Sequence, residues 1–308
     1  MRVLDGAWDV WEPPPGSTSI TIGVLDGVHR GHRELLRRLD PSHRRTVLTF
    51  EPHPVEVLRP GTSPRLLTTI EERLALLDDL GVELVGVLDL AGIKEQSPEE
   101  FVRGVLVHKL AVGQLVVGED FRFGHDRAGD VGLLRRMGSD LGFDVDVIDL
   151  VADEAAVVSS SRIRSLIEEG DVGTASELMG SWFTLSNVVV QGDRRGRELG
   201  FPTANLRPPS RKVIPGHGVY ACFATHDGVA HAAAVNVGVR PTFDGHELLI
   251  EAHLLDFDDD IYESELTVRF VEYLRPELRF DGAGSLVEQM HDDVARSREI
   301  LDEARSRM

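Results

Sequence analysis

The sequence predicts an α/β domain built on a parallel sheet, followed by an all-β domain that ends in a helix. Three observations carry that prediction. Through the first half, short apolar runs of strand type alternate with segments of helical periodicity, the pattern of a parallel sheet covered on both faces. From about residue 183, five strand-type runs follow one another with only turn-rich pieces between them, which points to an antiparallel barrel or sandwich. At 308 residues the chain is also long for one domain. The change of pattern places the boundary near residue 180, giving domains 1–180 and 181–308.

Taken in order, residues 19–25 form the first strand and 31–39 the first helix. Residues 46–50 are strand-like, and 70–80 carry apolar residues at helical spacing. A strand at 83–88 leads to a helix at 98–110, opened by Ser97, whose hydroxyl suits an N-cap. Strands at 114–117 and 143–148 flank a helical 131–141, and helices at 160–168 and 172–179 close this half. The β-rich half offers strands at 183–191, 219–224, 230–237, 247–254 and 266–273. In the last helix, 285–305, Leu286, Met290, Val294 and Leu301 form an apolar stripe that reads as a packing face. There is no internal repeat and no low-complexity tract.

The formal charge is −19 and the isoelectric point about 5.0. Such an excess of acid repels nucleic acid and anionic membranes, so neither is expected as a partner. A nucleotide site must then be locally cationic. Residues 191–212 meet that condition, with Arg194, Arg195, Arg197, Arg207, Arg211 and Lys212 against Asp193 and Glu198. The single cysteine, Cys222, excludes an intrachain disulfide and a four-cysteine zinc site, and its apolar run GVYACFA marks it as a small buried residue. No charged segment followed by an apolar one opens the chain, and no apolar run approaches the roughly 20 residues of a membrane span. A cytoplasmic protein is expected.

The most informative run is 192–205, GDRRGRELGFPTAN, which holds Gly192, Asp193, Gly196, Gly200, Pro202, Thr203 and Asn205. Glycines let a backbone approach a ligand closely, and arginines match phosphate oxygens. Thr203 and Asn205, two apart in an extended segment, present neutral oxygens on one face, a seat for Mg²⁺. A polyphosphate site is the reading. In the first half, residues 23–32, GVLDGVHRGH, lie where the first strand turns into the first helix. Gly23, Asp26 and Gly27 shape that turn, and His29 and His32 project from a helix N-terminus, which favours anions. Donors there can stabilise charge developing on a phosphate; the competing reading is a helix start with surface histidines. Before the helix at 160–168, Ser159, Ser160 and Ser161 precede Arg162 and Arg164. Serine caps helices routinely, but two arginines in the first turns oppose the dipole, which an anionic ligand would explain. The run 117–124, VGEDFRFG, follows a strand, so Phe121 and Phe123 can stack on a flat ring with Asp120 and Arg122 reaching polar groups; core aromatics are the alternative. His53, in the stiff FEPHP loop past another strand, can line the same cleft. Glu251, in the apolar run LLIEAHL, is either the outward face of an alternating strand or a general base for an attacking hydroxyl. The aspartates 256 and 258–260 lack the order of a calcium loop and read as a solvated turn.

At these residues the chain resembles the prokaryotic bifunctional riboflavin kinase/FMN adenylyltransferase (FAD synthetase) family, over nearly its whole length. Residues 23–32 and 159–164 resemble the G-x-F-D-G-x-H-x-G-H and S-S-T-x-I-R motifs of that family's nucleotidyltransferase domain, and 117–124 its V-V-G-x-D-F-x-F-G segment. Residues 192–205 match G-D-x-x-G-x-x-x-G-x-P-T-A-N of its kinase domain at every specified place. The resemblance implies a nucleotidyltransferase-type, Rossmann-like sheet followed by a riboflavin-kinase-type β-barrel and a terminal helix. It implies ATP as co-substrate and Mg²⁺ in both halves, with riboflavin, FMN and FAD as partners. Carried over, Thr203 and Asn205 hold Mg²⁺ with ATP, and Glu251 is the base for the ribityl hydroxyl. His29 and His32 serve the α-phosphate, with Gly23, Asp26, Gly27, Ser159, Ser160, Ser161, Arg162 and Arg164 around that ATP. His53, Asp120, Phe121 and Arg122 face the flavin. Four positions depart from the pattern: Val24 for a polar residue, Leu25 for phenylalanine, Ser161 for threonine and Glu51 for aspartate. Val24 and Leu25 leave open a kinase with an impaired adenylyltransferase domain; a flavin-nucleotide-binding regulator without turnover and a relative acting on a modified flavin are the other rivals.

Overall fold

Six parallel strands carry the first half of the chain, and a closed six-stranded barrel carries the second. The structure, a computed structural model, describes residues 1–153, 156–192, 196, 199–242 and 245–306, with backbone alone at 240–242 and 245–247. It divides into two units, Met1–Pro64 with Thr68–Ser160, and Arg65–Leu67 with Ser161–Met308.

In the first unit the strands are β1 (Arg2–Leu4), β2 (Thr18–Ile22), β3 (Arg44–Phe50), β4 (Leu84–Leu88), β5 (Val112–Gly118) and β6 (Asp144–Ile148). They lie in the order β1-β4-β3-β2-β5-β6. The order reverses between β2 and β5, and open sheets of this kind bind ligands at such a switch point, outside the carboxyl ends of the strands. The helices are α1 (Arg30–Arg37), α2 (Pro54–Leu58), α3 (Ile70–Asp79), α4 (Pro98–Phe101) and α5 (Val131–Leu141). Alternation along each strand feeds two apolar layers. Ile20, Ile22, Leu48, Leu84, Leu115 and Val117 face one layer with Phe101, Val105 and Leu134. Val47, Val85, Val87 and Val116 face the other with Leu36 and Leu77 of α1 and α3. Ser97 caps α4 as expected, within a capping box completed by Glu100. The expected α-helix continues past Phe101 as a π-helical stretch, Val102–Lys109, where Gly104 admits the Trp8 ring.

The second unit opens with α6 (Ser160–Glu169, from its second residue) and α7 (Val172–Met179). Its strands are β7 (Phe183–Val190), β8 (Ala204–Leu206), β9 (Gly218–His226), β10 (Val229–Thr242), β11 (Gly245–Leu254) and β12 (Glu265–Arg275). They close in the order β10-β11-β8-β7-β12-β9, so barrel replaces sandwich as the outcome of the two readings. Period-two alternation sends Phe183, Leu185, Tyr220, Cys222, Val235, Ile250, Val268 and Phe270 inward, each at most 1 % exposed. Cys222 is buried as expected, and burial pushes its thiol pKa up. The closing helix α8 (Ala283–Arg305) packs Ile300 and Leu301 against Ala221 and Phe223 on the outside of the wall. Arg275 of β12 and Asp293 of α8 form a two-bonded ion pair, at 2.8 and 2.6 Å, that clasps helix to barrel.

Candidate active site

The β2–α1 turn is held under strain. Leu25 and Val28 both have positive φ, 52° and 40°, yet both are buried in the apolar layer against α1 and α3. Branched residues enter that region at a cost on the order of 1–3 kcal/mol each, which burial of their side chains offsets. Leu25 therefore exchanges one buried apolar group for another where the resemblance had phenylalanine. Val24 contributes through its carbonyl, which accepts the Thr49 hydroxyl at 2.9 Å. The Asp26 carboxylate accepts the Thr68 backbone N–H (2.9 Å) and hydroxyl (3.1 Å), and the Gly27 N–H donates to the same hydroxyl. The Ser160 hydroxyl donates to the Asp26 carbonyl at 2.9 Å. Asp26 and Ser160 thus fix the turn that the glycines allow.

His29 is the N-cap of α1, and its Nδ1 accepts the His32 backbone N–H at 3.4 Å. A neutral imidazole that accepts at Nδ1 carries its proton on Nε2, so His29 is set as an Nε2–H donor. The two rings stack at 3.5 Å between centroids, and the His32 Nδ1 is buried with no hydrogen-bond partner among the described residues. Burial, then the neighbouring His29 and Arg73, hold the His32 pKa well below its ordinary value. These are not the surface histidines of the competing reading. Arg73, missed from the sequence, is 1 % exposed on α3, with contacts of 3.3 Å to the Thr49 hydroxyl and 3.5 Å to the Thr68 carbonyl. The signal lay in its spacing: it stands four residues before Leu77, on the buried face of the helix.

Two other segments end at neighbouring strands. After β3, His53 caps α2, its Nδ1 accepting the Val55 N–H at 3.2 Å. After β5, Phe121 is half-buried and stacks on Phe123, which belongs to the core; Asp120 and Arg122 are exposed, and Arg122 pairs with Asp130 at 3.4 Å. Because β3, β2 and β5 are adjacent, His53, His29 and the 120–122 run follow three neighbouring carboxyl ends. Ser161, Arg162 and Arg164 ride on α6 in the second unit.

In the second unit the barrel register assembles a row of side chains on the outer face of the wall. Asn205 of β8 stands opposite Glu251 of β11, which stands opposite Asn236 of β10, which stands opposite Val219 of β9. Residues directly opposite in a ladder share a face. All four line a cavity of about 440 Å³, roofed by Leu286, Met290 and Val294 of α8 and by Leu278 and Phe280. Glu251 is thus on the outward face of an alternating strand, but that face is covered. A second cavity, about 80 Å³, is lined by Leu254, Phe257, Asp258 and Tyr262. Thr203 and Asn205 border both cavities.

Asn205 is 4 % exposed; its amide donates to the Thr203 carbonyl at 3.3 Å, and its Oδ1 is buried without a hydrogen-bond partner among the described residues. An orphaned hard oxygen, with a threonine two residues before it bordering the same cavities, fits a magnesium ion. A side chain at Gly192 would place its Cβ 2.4 Å from the Asn205 Nδ2, and one at Gly196 would lie 2.3 Å from the Phe201 carbonyl oxygen, so both glycines serve close approach. Gly200 lies in the following turn, and the Pro202 carbonyl accepts from His253 Nδ1 at 2.8 Å. Asp193, with Arg194, Arg195, Arg197 and Glu198, lies outside the described residues. Asn236 was missed from the sequence, where it is one polar residue in an alternating strand.

Comparison with known proteins matches residues 12–162 to the FAD synthetase family model and 179–301 to the riboflavin kinase model. The bifunctional riboflavin kinase/FMN adenylyltransferase of Escherichia coli K12 is 35 % identical over 308 residues, covering 98 % of each chain. That of Pseudomonas fluorescens is 38 % identical, covering 91 % of this chain and 92 % of its own. A crystal structure described as a macrolide-efflux protein of Streptococcus pneumoniae superposes with a TM-score of 0.84 at 29 % identity, covering 94 % of this chain and 99 % of its own. That description stays with that protein. Among the described residues here, no helix is long and apolar enough to cross a membrane.

Proposed function

The chain belongs to the bifunctional riboflavin kinase/FMN adenylyltransferase family, and from that premise we propose which residues serve each of its two reactions. It phosphorylates riboflavin with ATP to give FMN, and adenylylates FMN with ATP to give FAD and pyrophosphate. Both family models match and the full-length relatives are named as bifunctional, which supports two activities over an impaired adenylyltransferase or a regulator without turnover. The proposed domains are 1–180 for adenylylation and 181–308 for phosphorylation, supported by the two matched stretches. Both reactions consume ATP, and the cytoplasm is the proposed compartment.

The observation that carries the kinase assignment is that Thr203 and Asn205 border two cavities at once, with Glu251 beside them on one side only. Riboflavin takes the larger cavity and ATP the smaller. Glu251 accepts the proton of the flavin's terminal hydroxyl as its oxygen bonds to the γ-phosphorus and ADP departs. The residues that would hold Mg²⁺ are Thr203, through its hydroxyl, and Asn205, through Oδ1; the ion would neutralise charge on the transferring phosphates. Gly192, Gly196 and Gly200, with Asp193 and Pro202, shape the loop over those phosphates.

In the other reaction an FMN phosphate oxygen attacks the α-phosphorus of ATP and pyrophosphate leaves. His29 donates from Nε2 to the oxygens where charge develops, and His32 stacks behind it. Gly23, Asp26 and Gly27 keep the turn, while Ser159, Ser160, Ser161, Arg162 and Arg164 are assigned to the triphosphate by their motif. His53, Asp120, Phe121 and Arg122 are assigned to the flavin, Phe121 by stacking. The test is chromatography of products from riboflavin, ATP and Mg²⁺, repeated with FMN as starting flavin. FMN and FAD are expected from the first mixture and FAD from the second; an absence of FAD from FMN would overturn the adenylylation half.

A further inference from the structure

Of the polar groups lining the kinase cavity that the catalytic assignment leaves unused, His253 contacts the Pro202 carbonyl, Arg275 pairs with Asp293, Glu277 is exposed, and Asn236 remains. Asn236 is half-buried, lines the cavity, and its carboxamide has no hydrogen-bond partner among the described residues. Its neighbours along β10, Val235 and Val237, are fully buried inside the barrel, so Asn236 is the residue that this stretch of strand turns toward the cavity. Ala234, Val219 and Leu249 line the same cavity, and at its edge the Glu277 carboxylate and the Asn236 amide both approach Gly238.

Its position is fixed by register. Asn236 faces Glu251 from the strand on one side, and Asn205 faces Glu251 from the strand on the other. Adjacent strands are about 4.8 Å apart, so the two asparagines lie about 10 Å apart with the carboxylate between them. The smaller cavity touches Asn205 but neither Glu251 nor Asn236. The row therefore has a polarity: the phosphate side at Asn205, the base in the middle, and Asn236 on the side from which the acceptor arrives. A half-buried carboxamide there carries two donors and an acceptor, the complement of a hydroxyl.

We infer that Asn236 binds a side-chain hydroxyl of the flavin next to the reacting one and so holds the reacting oxygen in front of Glu251. The inference rests on the kinase reading of this cavity. Asn236 is a specificity-determining residue for the polyol chain of the acceptor, and it takes no proton in the reaction.

The test compares wild type with N236A and N236S, using riboflavin and a riboflavin analogue lacking the hydroxyl adjacent to the reacting one. Wild type is expected to prefer riboflavin over the analogue by about tenfold in kcat/KM, the worth of one hydrogen bond to a neutral group. N236A is expected to lose about tenfold on riboflavin and nothing further on the analogue, while N236S recovers part of the preference. The KM for ATP and the rate of FAD formation from FMN stay at wild-type values. A preference that survives in N236A overturns the proposal, as does a loss shared equally by riboflavin, the analogue and ATP binding, which marks a structural role. The outcome separates from the parent reading through Glu251→Gln. If that variant loses FMN formation while N236A keeps its preference, the base stands and the acceptor contact fails. If Glu251→Gln retains FMN formation, the kinase reading itself fails.

Discussion

The two candidate sites reach phosphate by opposite constructions. In the first unit the histidines come from ten consecutive residues, at the start of one helix that the sheet presents at its switch point. Their electrostatics are made by burial: a capping imidazole stacked on another, with a buried arginine that helps depress the His32 pKa. In the second unit Asn205, Asn236 and Glu251 stand on three strands, and only the barrel register brings them into one row. A helix start can be built locally and then tuned by what lies beneath it. A ladder row is built by the whole barrel, and each member is set by its partners across the strands.

The largest expected effect breaks the second construction and leaves the first alone. Glu251→Gln keeps size and hydrogen bonding but removes the base, so FMN formation should fall by about 10²–10⁴ while FAD formation from FMN persists. Product chromatography from the two starting flavins reads both at once. FMN formation at an undiminished rate would remove Glu251 from the chemistry.

The reciprocal variant is His29→Ala. It deletes the Nε2–H donor and the cap that accepts the His32 N–H. Loss of one preorganised donor of developing charge costs about 10²–10³ in turnover, so FAD formation should fall by that factor with riboflavin phosphorylation unchanged. Equal loss of both activities would mean that the two units are coupled in folding and that the histidine has no separate part.

How much of this was legible in the sequence follows the same contrast. The strand–helix alternation, the Ser97 cap and the β2–α1 turn are local features, and residues 23–32 could be read as a phosphate site from spacing alone. The run 192–205 was legible because Gly192 and Gly196 answer to contacts within its own loop, at Asn205 and Phe201. Two elements were too short to show a period, β1 (Arg2–Leu4) and β8 (Ala204–Leu206), although β8 carries Asn205. Arg73 was hidden among the charges of an ordinary helix. Asn236 was hidden because a single asparagine between valines looks like a solvent-facing residue until register sets it against Glu251.

The smallest expected effect sharpens the first construction. Burial, then the neighbouring His29 and Arg73, depress the His32 pKa, so the folded chain resists a proton that the unfolded chain accepts. Above about pH 6.5, the ordinary value, both states are neutral and His32 contributes no pH dependence. As pH falls below that value the unfolded chain gains the proton first, so folded-state stability is lost progressively until the depressed folded pKa is reached. Thermal midpoints measured between pH 7.5 and 5.5 should therefore fall more steeply for wild type than for His32→Gln, which cannot titrate. Matching slopes would show that His32 is not held neutral. A phosphate-bearing nucleotide at the stacked pair favours the protonated imidazole, so ATP should reduce the wild-type slope and leave that of His32→Gln unchanged. The row at Glu251 contains no imidazole, so acid should cost the adenylylating unit a stability that the kinase row does not lose by this route.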